Sequence, residues 1–407
     1  NLLFLSRYFV NNARLFHNLF KGRYATISKL SQIKKESISN PKTYFLQKGD
    51  LLFTRSSLMQ SGVGQAAMVN ELPDKLTVFS GFIIRFRKRT DILINDDYLN
   101  YLVRSEFYRN YIRRLISGTT ITNINQEFLS KLPIILPSIS EQNEIVNVIS
   151  CLDDTIELNQ RMNKTLEAIG QALFRRWFVD FEFPNEEGKP YKSSGGEMVY
   201  SEELGKEIPK GWNSGIINEI LLINKNAENP IKNQDIDYLH FSIPAYDAGQ
   251  NPQHEFGESI KSMKYVVLSD SILLSKLNPE ISRVWLVDVS SNERAICSTE
   301  FLVITAKSPF NRSYIYHLIC SPEFSGELKG LVTGTSKSHQ RVQPESVLRM
   351  KIIIPDSRIL EKFKMIVTPL HNIILSNRYE CSNLGSIRDA ILPKLISGQI
   401  RVNRRHQ

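Results

Sequence analysis

Cysteine is scarce in this sequence. The four present among 407 residues, Cys151, Cys297, Cys320 and Cys381, share no CxxC spacing. That argues against a disulfide framework or a zinc ribbon and makes a reducing cytoplasm the default expectation. No apolar run approaches the roughly 20 residues that a membrane-spanning helix needs. The stretch 1–20 is apolar but is interrupted by Arg7, Asn11, Asn12 and Arg14, so it reads as an amphipathic element and not as a signal peptide.

Motifs that carry chemistry are missing too. There is no Walker A sequence and no glycine-rich dinucleotide loop; Gly62-Val63-Gly64 has two of three glycines and reads as a tight turn after a strand. No HExxH or paired-histidine spacing offers a metal site, and the seven histidines are scattered. His317, on an apolar helix face, reads as a packed or surface residue. No Gly-x-Ser-x-Gly elbow is found. Glu327-x-Lys329 is too short a pattern to mark a nuclease. The Asn-Pro-Pro-Tyr of amino-methyltransferases is absent, and Asn278-Pro279-Glu280 is only a superficial echo. The chain therefore reads as a binder.

What the sequence does have is a duplication. Ile134-Ile135-Leu136-Pro137 returns as Ile352-Ile353-Ile354-Pro355, 218 residues later. Ser117-Gly118-Thr119-Thr120 returns as Thr333-Gly334-Thr335-Ser336, and Leu51-Leu52-Phe53-Thr54-Arg55 as Ile272-Leu273-Leu274-Ser275-Lys276. Tyr98-Leu99-Asn100-Tyr101-Leu102 has its counterpart in Tyr314-Ile315-Tyr316-His317-Leu318. All offsets lie between 216 and 221, far longer than the roughly 20 to 50 residues of a solenoid unit. A duplicated domain suits a partner that itself has two similar sites.

Each copy has one plan: a mixed globular part with β-rich runs, an amphipathic helix over about 97–116 or 312–331, a Gly-Thr loop, a short buried strand ending in proline, then a long helix. Ser138-x-x-Glu141 forms a capping box for the first long helix, and Asp356 or Ser357 caps the second. The first helix carries apolar residues at Ile145, Ile149, Leu152, Ile156, Leu166, Ile169, Leu173 and Trp177. Adding 218 gives Phe363, Val367, Leu370, Ile374, Leu384, Ile387, Ile391 and Leu395. Steps of mainly three and four make a narrow seam that needs another helix, most simply that of the other copy. Asn159 and Asn377 sit at the same register, either in the seam or at its solvated edge, and are expected to approach each other. Pro369 predicts a kink or restart in the second helix, and Pro393 with Gly398 its end. A turn-rich connector, with Pro184 to Pro190 and Ser193 to Gly196, joins the copies.

Charge is uneven. Residues 1–139 carry a net +11, residues 215–356 a net −2 and residues 357–407 a net +6. The basic first copy fits a phosphate backbone and predicts the larger share of phosphate contacts; the near-neutral second copy fits it less well. Candidate binding loops occupy matched positions. In the first copy they offer Arg55, Ser57 and Gln60, then Thr119, Thr120, Thr122 and Asn123. In the second they offer Lys276, Asn278 and Arg283, then Thr335, Ser336, Lys337, His339 and Arg341. These side chains can hydrogen-bond base edges and phosphates, or simply be polar surface. The loops differ while the helices agree, so DNA-binding copies would read different sequences.

Four segments resemble the specificity subunit of type I restriction-modification systems: Lys48-Gly49-Asp50-Leu51-Leu52-Phe53-Thr54-Arg55-Ser56; the Leu132-Pro133-x3-Pro137 strand entering Glu141-Gln142-x2-Ile145; Phe174-Arg175-Arg176-Trp177-Phe178-Val179-Asp180-Phe181; and Leu392-Pro393-Lys394-Leu395-Ile396-Ser397-Gly398-Gln399-Ile400. The likeness spans residues 40–402. It implies an α/β (α+β) chain with two tandem target-recognition domains, each reading half of a split double-stranded DNA target. An antiparallel pair of long coiled-coil helices would separate them in a pseudo-twofold repeat. It also implies a non-catalytic subunit that docks two methyltransferase subunits and is joined by motor-nuclease subunits. S-adenosylmethionine, ATP and Mg would belong to those partners. The expected layout is a first recognition domain over 1–137, a spacer helix over 138–182, a linker over 183–208, a second recognition domain over 209–355, a distal helix over 356–398 and a tail over 399–407. Pro209-x-Gly211-Trp212 opens the second copy without a match in the first, so the first is expected to be truncated or diverged at its start. Two other classes stay open: a stand-alone DNA-modifying enzyme fragment, and a two-domain repressor on a pseudo-palindrome.

Overall fold

The computed structural model describes residues 2–6, 20, 22–25, 30–34, 40–56, 62–72, 77–116, 123–333 and 340–402. The chain is mixed helix and sheet and divides into two compact units, Asn1–Thr155 with Asn383–Gln407, and Ile156–Ser382.

The strands of unit 1 are β1 (Leu2–Ser6), β2 (Leu30–Lys34), β3 (Leu51–Thr54), β4 (Ala66–Met68), β5 (Thr77–Val78) and β6 (Ile83–Phe86). They make two sheets, ordered β2-β1-β5 and β4-β3-β6. All four residues of β3 are buried, as an unbroken apolar run between two strands requires. Alternation divides them: Leu51 and Phe53 enter the core that holds Tyr98, Leu99 and Leu102, while Leu52 packs with Leu46, Ala67 and Ile83 on the other face.

The helices of unit 1 are α1 (Asp96–Arg104), α2 (Glu106–Ile116), α3 (Gln126–Ser130) and the first part of α4 (Ile139–Phe174). The single helix expected over 97–116 is two helices. Ser105 is extended at ψ 150°, and its hydroxyl accepts from the Tyr108 amide to cap the second. The Asn95 side chain caps α1 through the Tyr98 amide at 3.0 Å. Half of the expected capping box on α4 is present, with the Glu141 amide donating to Ser138 Oγ at 3.2 Å.

Unit 2 contains β7 (Met198–Ser201), β8 (Lys206–Pro209), β9 (Asn213–Ile216), β10 (Leu221–Asn224), β11 (Ala227–Glu228), β12 (Asp237–Phe241), β13 (Gln253–Phe256), β14 (Lys264–Val266), β15 (Ile272–Ser275), β16 (Val284–Leu286), β17 (Arg294–Ser298) and β18 (Phe301–Ala306). Then come α5 (Arg312–Cys320), α6 (Pro322–Gly330), β19 (Val332–Thr333), β20 (Arg341–Val342), α7 (Pro344–Leu348), β21 (Lys351–Ile354) and most of α8 (Ser357–Ile396). A four-stranded sheet, β10-β18-β15-β16, and a five-stranded sheet, β11-β14-β17-β12-β13, form its body. The run β16-β15-β18 repeats β4-β3-β6, and α5 and α6 repeat α1 and α2. The caps repeat as well: Asn311 accepts from Tyr314 at 3.0 Å, and Ser321 from Phe324 at 3.2 Å. Here too the expected single helix over 312–331 is two, broken at Ser321-Pro322.

The short strand before each long helix does not repeat. β21 pairs with β9, and Ile352 is buried. Its counterpart in unit 1 was expected to be a buried strand, but the structure assigns none there, and Ile134, Ile135 and Leu136 are exposed. No described strand of unit 1 stands where β9 stands in unit 2.

Within unit 1, Ile145, Val146 and Ile149 of α4 share a core with Leu392, Leu395 and Ile396 of α8. Within unit 2, the partners of α4 recede along α8 as α4 advances. Asn159 Nδ2 donates to Glu380 at 2.8 Å, Asn377 Nδ2 to Asn163 at 2.8 Å, and Trp177 packs on Phe363 at 5.9 Å. Asn159 and Asn377 are buried, as a seam position requires. They bond other side chains and not each other, however: the register sets Asn377 against Asn163, one helical turn on. Gly170 takes the seam position, and the expected seam members Ile169 and Ile387 face outward. α8 runs unbroken through Pro369 and Pro393, against the expected restart and stop. The residues four before each proline, Met365 and Asp389, are exposed, so water can bind the carbonyls that lose a helical donor. The helix ends where Gly398 adopts φ 73°.

Candidate nucleic-acid interface

The two loops nominated in each copy meet. In unit 1 the chain leaving β3 is held by the Arg55 amide donating to the Phe82 carbonyl at 2.8 Å, and the Ile124 amide donates to the Arg55 carbonyl at 2.9 Å. Ser56 and Asn123 form a bridge. In unit 2 the Lys276 amide donates to the Glu300 carbonyl at 2.8 Å, and the Val342 amide to the Lys276 carbonyl at 3.1 Å. Leu277 and Arg341 form the matching bridge. The loop after the central strand and the chain after the Gly-Thr turn are thus stitched together by the same backbone bonds in both units.

The side chains differ. Arg55 is exposed, with Nη1 donating to the Gly81 carbonyl at 3.4 Å, and Asn123 is exposed beside it. Lys276 is half-buried, its ammonium 6.0 Å from the centre of the Tyr265 ring. Asn278 is half-buried at φ 51°, a left-handed conformation that asparagine tolerates better than most residues. Arg341 is 45% exposed, and Glu300 holds its guanidinium by two prongs, Nη2 to Oε1 at 2.8 Å and Nε to Oε2 at 3.0 Å. This bond draws the Glu300 carboxyl below its ordinary range and raises Arg341 above its own. Arg283 stands apart from this group. It is only 4% exposed, and Asp247 binds it at 2.7 and 2.8 Å. Ser57, Gln60, Thr119, Thr120, Thr122, Thr335, Ser336, Lys337 and His339 lie outside the described residues.

Two positions at this surface were not singled out from the sequence: Phe82 and Glu300, which are 218 residues apart. The signal was available, because each stands two residues after a matched serine, Ser80 or Ser298. Among the described residues, no cluster of three His, Cys, Asp or Glu side chains is placed to hold a metal ion. No helix among them is long and apolar enough to cross a membrane.

Residues 9–168 match the family described as the type I restriction modification DNA specificity domain. The specificity subunit of the type I restriction enzyme MjaIX of Methanocaldococcus jannaschii is 28% identical over 380 residues, covering 91% of this chain and 82% of that one. The HindI specificity subunit of Haemophilus influenzae is 24% identical, covering 87% of each. A crystal structure of the type I S subunit from M. genitalium aligns at a TM-score of 0.49 and 14% identity, over 86% of this chain and 84% of that one.

Proposed function

This chain belongs to the specificity-subunit family of type I restriction-modification systems, and from that premise we propose that it chooses the DNA sequence on which such a complex acts. Each recognition domain reads one half of a split target, through Arg55 and Asn123 in the first unit and Lys276 and Arg341 in the second. The long helices run antiparallel and set the unread spacing. They also dock two methyltransferase subunits, and motor-nuclease subunits join the assembly. The chain itself makes and breaks no bonds; S-adenosylmethionine, ATP and Mg are handled by its partners.

The observation that carries this reading is the matched pair of backbone bonds, Ile124 to Arg55 and Val342 to Lys276. One rigid frame built twice, with different polar side chains on it, suits two different half-sites: the frame positions and the side chains specify. The docking role is supported by outward-facing apolar residues on the helices, Leu158, Met162 and Ile169 on α4 and Ile366, Ile373 and Ile387 on α8. Buried, they would strengthen a partner interface; left in water they are a liability.

The test is co-expression with a methyltransferase subunit of the same system. The expected result is a stable complex that methylates adenine at one bipartite sequence. Methyl transfer by the isolated chain would identify an enzyme instead. Tight, partner-free binding to a pseudo-palindrome would identify a repressor.

A further inference from the structure

Two pairs of matched positions have exchanged an arginine. The loop after the central strand is closed at its root by the Thr54 amide donating to the Gln65 carbonyl at 2.9 Å in unit 1, and by the Ser275 amide donating to the Arg283 carbonyl at 3.0 Å in unit 2. Gln65 and Arg283 are therefore equivalent. In α2 the Arg109 amide donates to the Ser105 carbonyl at 3.0 Å, and in α6 the Ser325 amide donates to the Ser321 carbonyl at 3.0 Å. Arg109 and Ser325 are equivalent as well. Unit 1 thus carries its arginine on the helix, and unit 2 carries it on the loop. Both are buried, Arg109 at 9% exposure and Arg283 at 4%. Arg109 Nη1 donates to the Val63 carbonyl of its loop at 2.9 Å. Arg283 grips Asp247, the last residue of the short helix Ile243–Asp247, through Nε at 2.7 Å and Nη2 at 2.8 Å. Arg283 lines one cavity with Pro279 and Ile281 of the loop and with Ser325. The position that holds the arginine in unit 1 therefore borders the arginine of unit 2.

We infer that Arg283, held by Asp247, is the positioning residue of the recognition loop in unit 2, as Arg109 is in unit 1, and that each sets the loop from beneath without touching DNA. The inference rests on the DNA-reading function proposed above. Buried this deeply, with two of its three nitrogens on Asp247, the Arg283 guanidinium is not placed to meet a phosphate or a base edge. Stability does not account for it either. A buried ion pair is often no more stabilising than apolar residues of the same volume. Arg283 Nη1 is moreover buried with no hydrogen-bond partner among the described residues, which adds to the cost. What the pair supplies is geometry, because a planar guanidinium gripped by two prongs on a carboxylate has one arrangement. Tyr246, beside Asp247, also bonds the Val284 amide and carbonyl, each at 3.3 Å, so the loop root is tied to the short helix twice. The loop so fixed carries Lys276 and Asn278, and the Asn278 amide ties it to the Gln340 carbonyl at 2.9 Å. Hydrogen bonds to base edges tolerate a spread of only about 0.5 Å in length, so a loop that shifts loses discrimination.

The experiment uses the full chain assembled with its methyltransferase subunits and maps methylated sites from a randomised DNA pool. The readout is the ratio of preferred to other bases at each position, in which a uniform change of affinity cancels. Arg283→Met, which keeps bulk without charge, is expected to lower that ratio by about tenfold or more at several base positions of one half-site. Several positions respond because the loop moves as a whole. Arg109→Met should do the same in the other half-site. Asp247→Asn alters a half-exposed side chain without changing its shape and should relax the same positions by a smaller factor. Arg283→Lys, which keeps the charge and one contact, should also fall between. If Arg283→Met does not assemble, Asp247→Asn and Arg283→Lys carry the test. Unchanged ratios in the assembled Arg283 and Asp247 variants would overturn the inference and leave the pair a stability element. Relaxation at a single base position would overturn it too, by making Arg283 a direct contact. So would relaxation of one and the same half-site by Arg283→Met and Arg109→Met. Absence of any sequence preference in the unaltered complex would instead overturn the proposed function.

Discussion

Asp153 and Arg388 in unit 1 correspond, 218 residues away, to His371 and Gly170 in unit 2. At these positions the two units fasten their globular part to the long helices with different chemistry. In unit 1 the joint is ionic. Arg388 Nη1 binds the buried Asp153 at 2.7 Å, Arg23 donates to Tyr101 at 3.1 Å and pairs with Asp154, and burial lowers the pKa of neighbouring Arg104. In unit 2 the matching positions hold no ion pair, although Arg378 nearby binds Glu167 at 2.8 Å and the Leu286 carbonyl at 3.2 Å. His317, at the place of Tyr101, stacks on His371 with ring centres 5.1 Å apart and Nε2 atoms 3.1 Å apart. Gln171 Nε2 donates to the His317 carbonyl, so its Oε1 is the acceptor for His317 Nδ1; His371 Nε2 then donates to His317 Nε2. Burial pushes His317 down to about 4 and His371 to about 3, the latter also facing the charges of His317, Arg312 and Arg378. The absence of a side chain at Gly170 makes room for the His317 ring. A duplicated fold has kept the geometry of the joint and replaced its forces.

The largest effect is expected from Arg388→Ala. It removes the arginine that pairs with the buried Asp153 carboxylate, and breaking a buried pair costs about 3 to 5 kcal/mol. Denaturant unfolding should show the loss, and adding Asp153→Asn should recover most of it. A cost below about 1 kcal/mol would make the joint behave as a surface ion pair.

Next is the strand before each long helix. Ile352→Ala removes buried packing under β9 and should cost about 2 kcal/mol or more. Ile134→Ala, at the exposed counterpart, should stay within about 0.5 kcal/mol. Equal costs would mean that the unit 1 segment is covered after all.

Gly170→Ala places a methyl 2.5 Å from His317 Cε1. Overpacking of about 1 to 3 kcal/mol should outweigh the roughly 1 kcal/mol gained in helix propensity. Gly170→Ala combined with His317→Ala should leave little of that strain. Stabilisation by Gly170→Ala alone would show that the ring has room to move.

The last comparison is the acid response of unit 2, read per pH unit. Both histidines have folded pKa values below the ordinary 6.5, so the unfolded chain takes up protons first as pH falls. Their contribution is complete above about pH 6.5 and declines toward pH 4, at up to about 1.4 kcal/mol per pH unit for each proton. His371→Gln should flatten that slope by about one proton in a pH series of unfolding free energies. An unchanged slope would remove His371 from the account.

Local chemistry was legible in the sequence and tertiary pairing was not. The duplication, the serine that caps the first long helix, and the apolar run of β3 each follow from neighbouring residues, and the structure keeps them. The break at Ser105 was hidden because apolar periodicity continues across it; only the cap chemistry marks it. Asp153, Asn163 and His371 in the helix seam were missed because a polar residue at a seam register looks the same whether it meets a partner or water. Ile169 and Ile387 were placed inward by periodicity, which cannot say which of two adjacent apolar faces the partner covers. For the candidate interface, the sequence found both loops but not the Phe82 and Glu300 slot beside them, because the residue just before a strand carries no signal except by comparing the copies. Arg283 looked like a loop cation, and only the fold brings Asp247 to it.

The central claim is that each unit reads its own half of the target, and the most direct measurement is methylation-site mapping of assembled complexes carrying Asn123→Ala or Arg341→Ala. The expected result is two complementary patterns: Asn123→Ala relaxes one half-site and Arg341→Ala the other, each by about 1 to 3 kcal/mol at the affected base if the contact is to a base edge. Relaxation of the same half-site by both variants, or a uniform loss across the whole target, would contradict it.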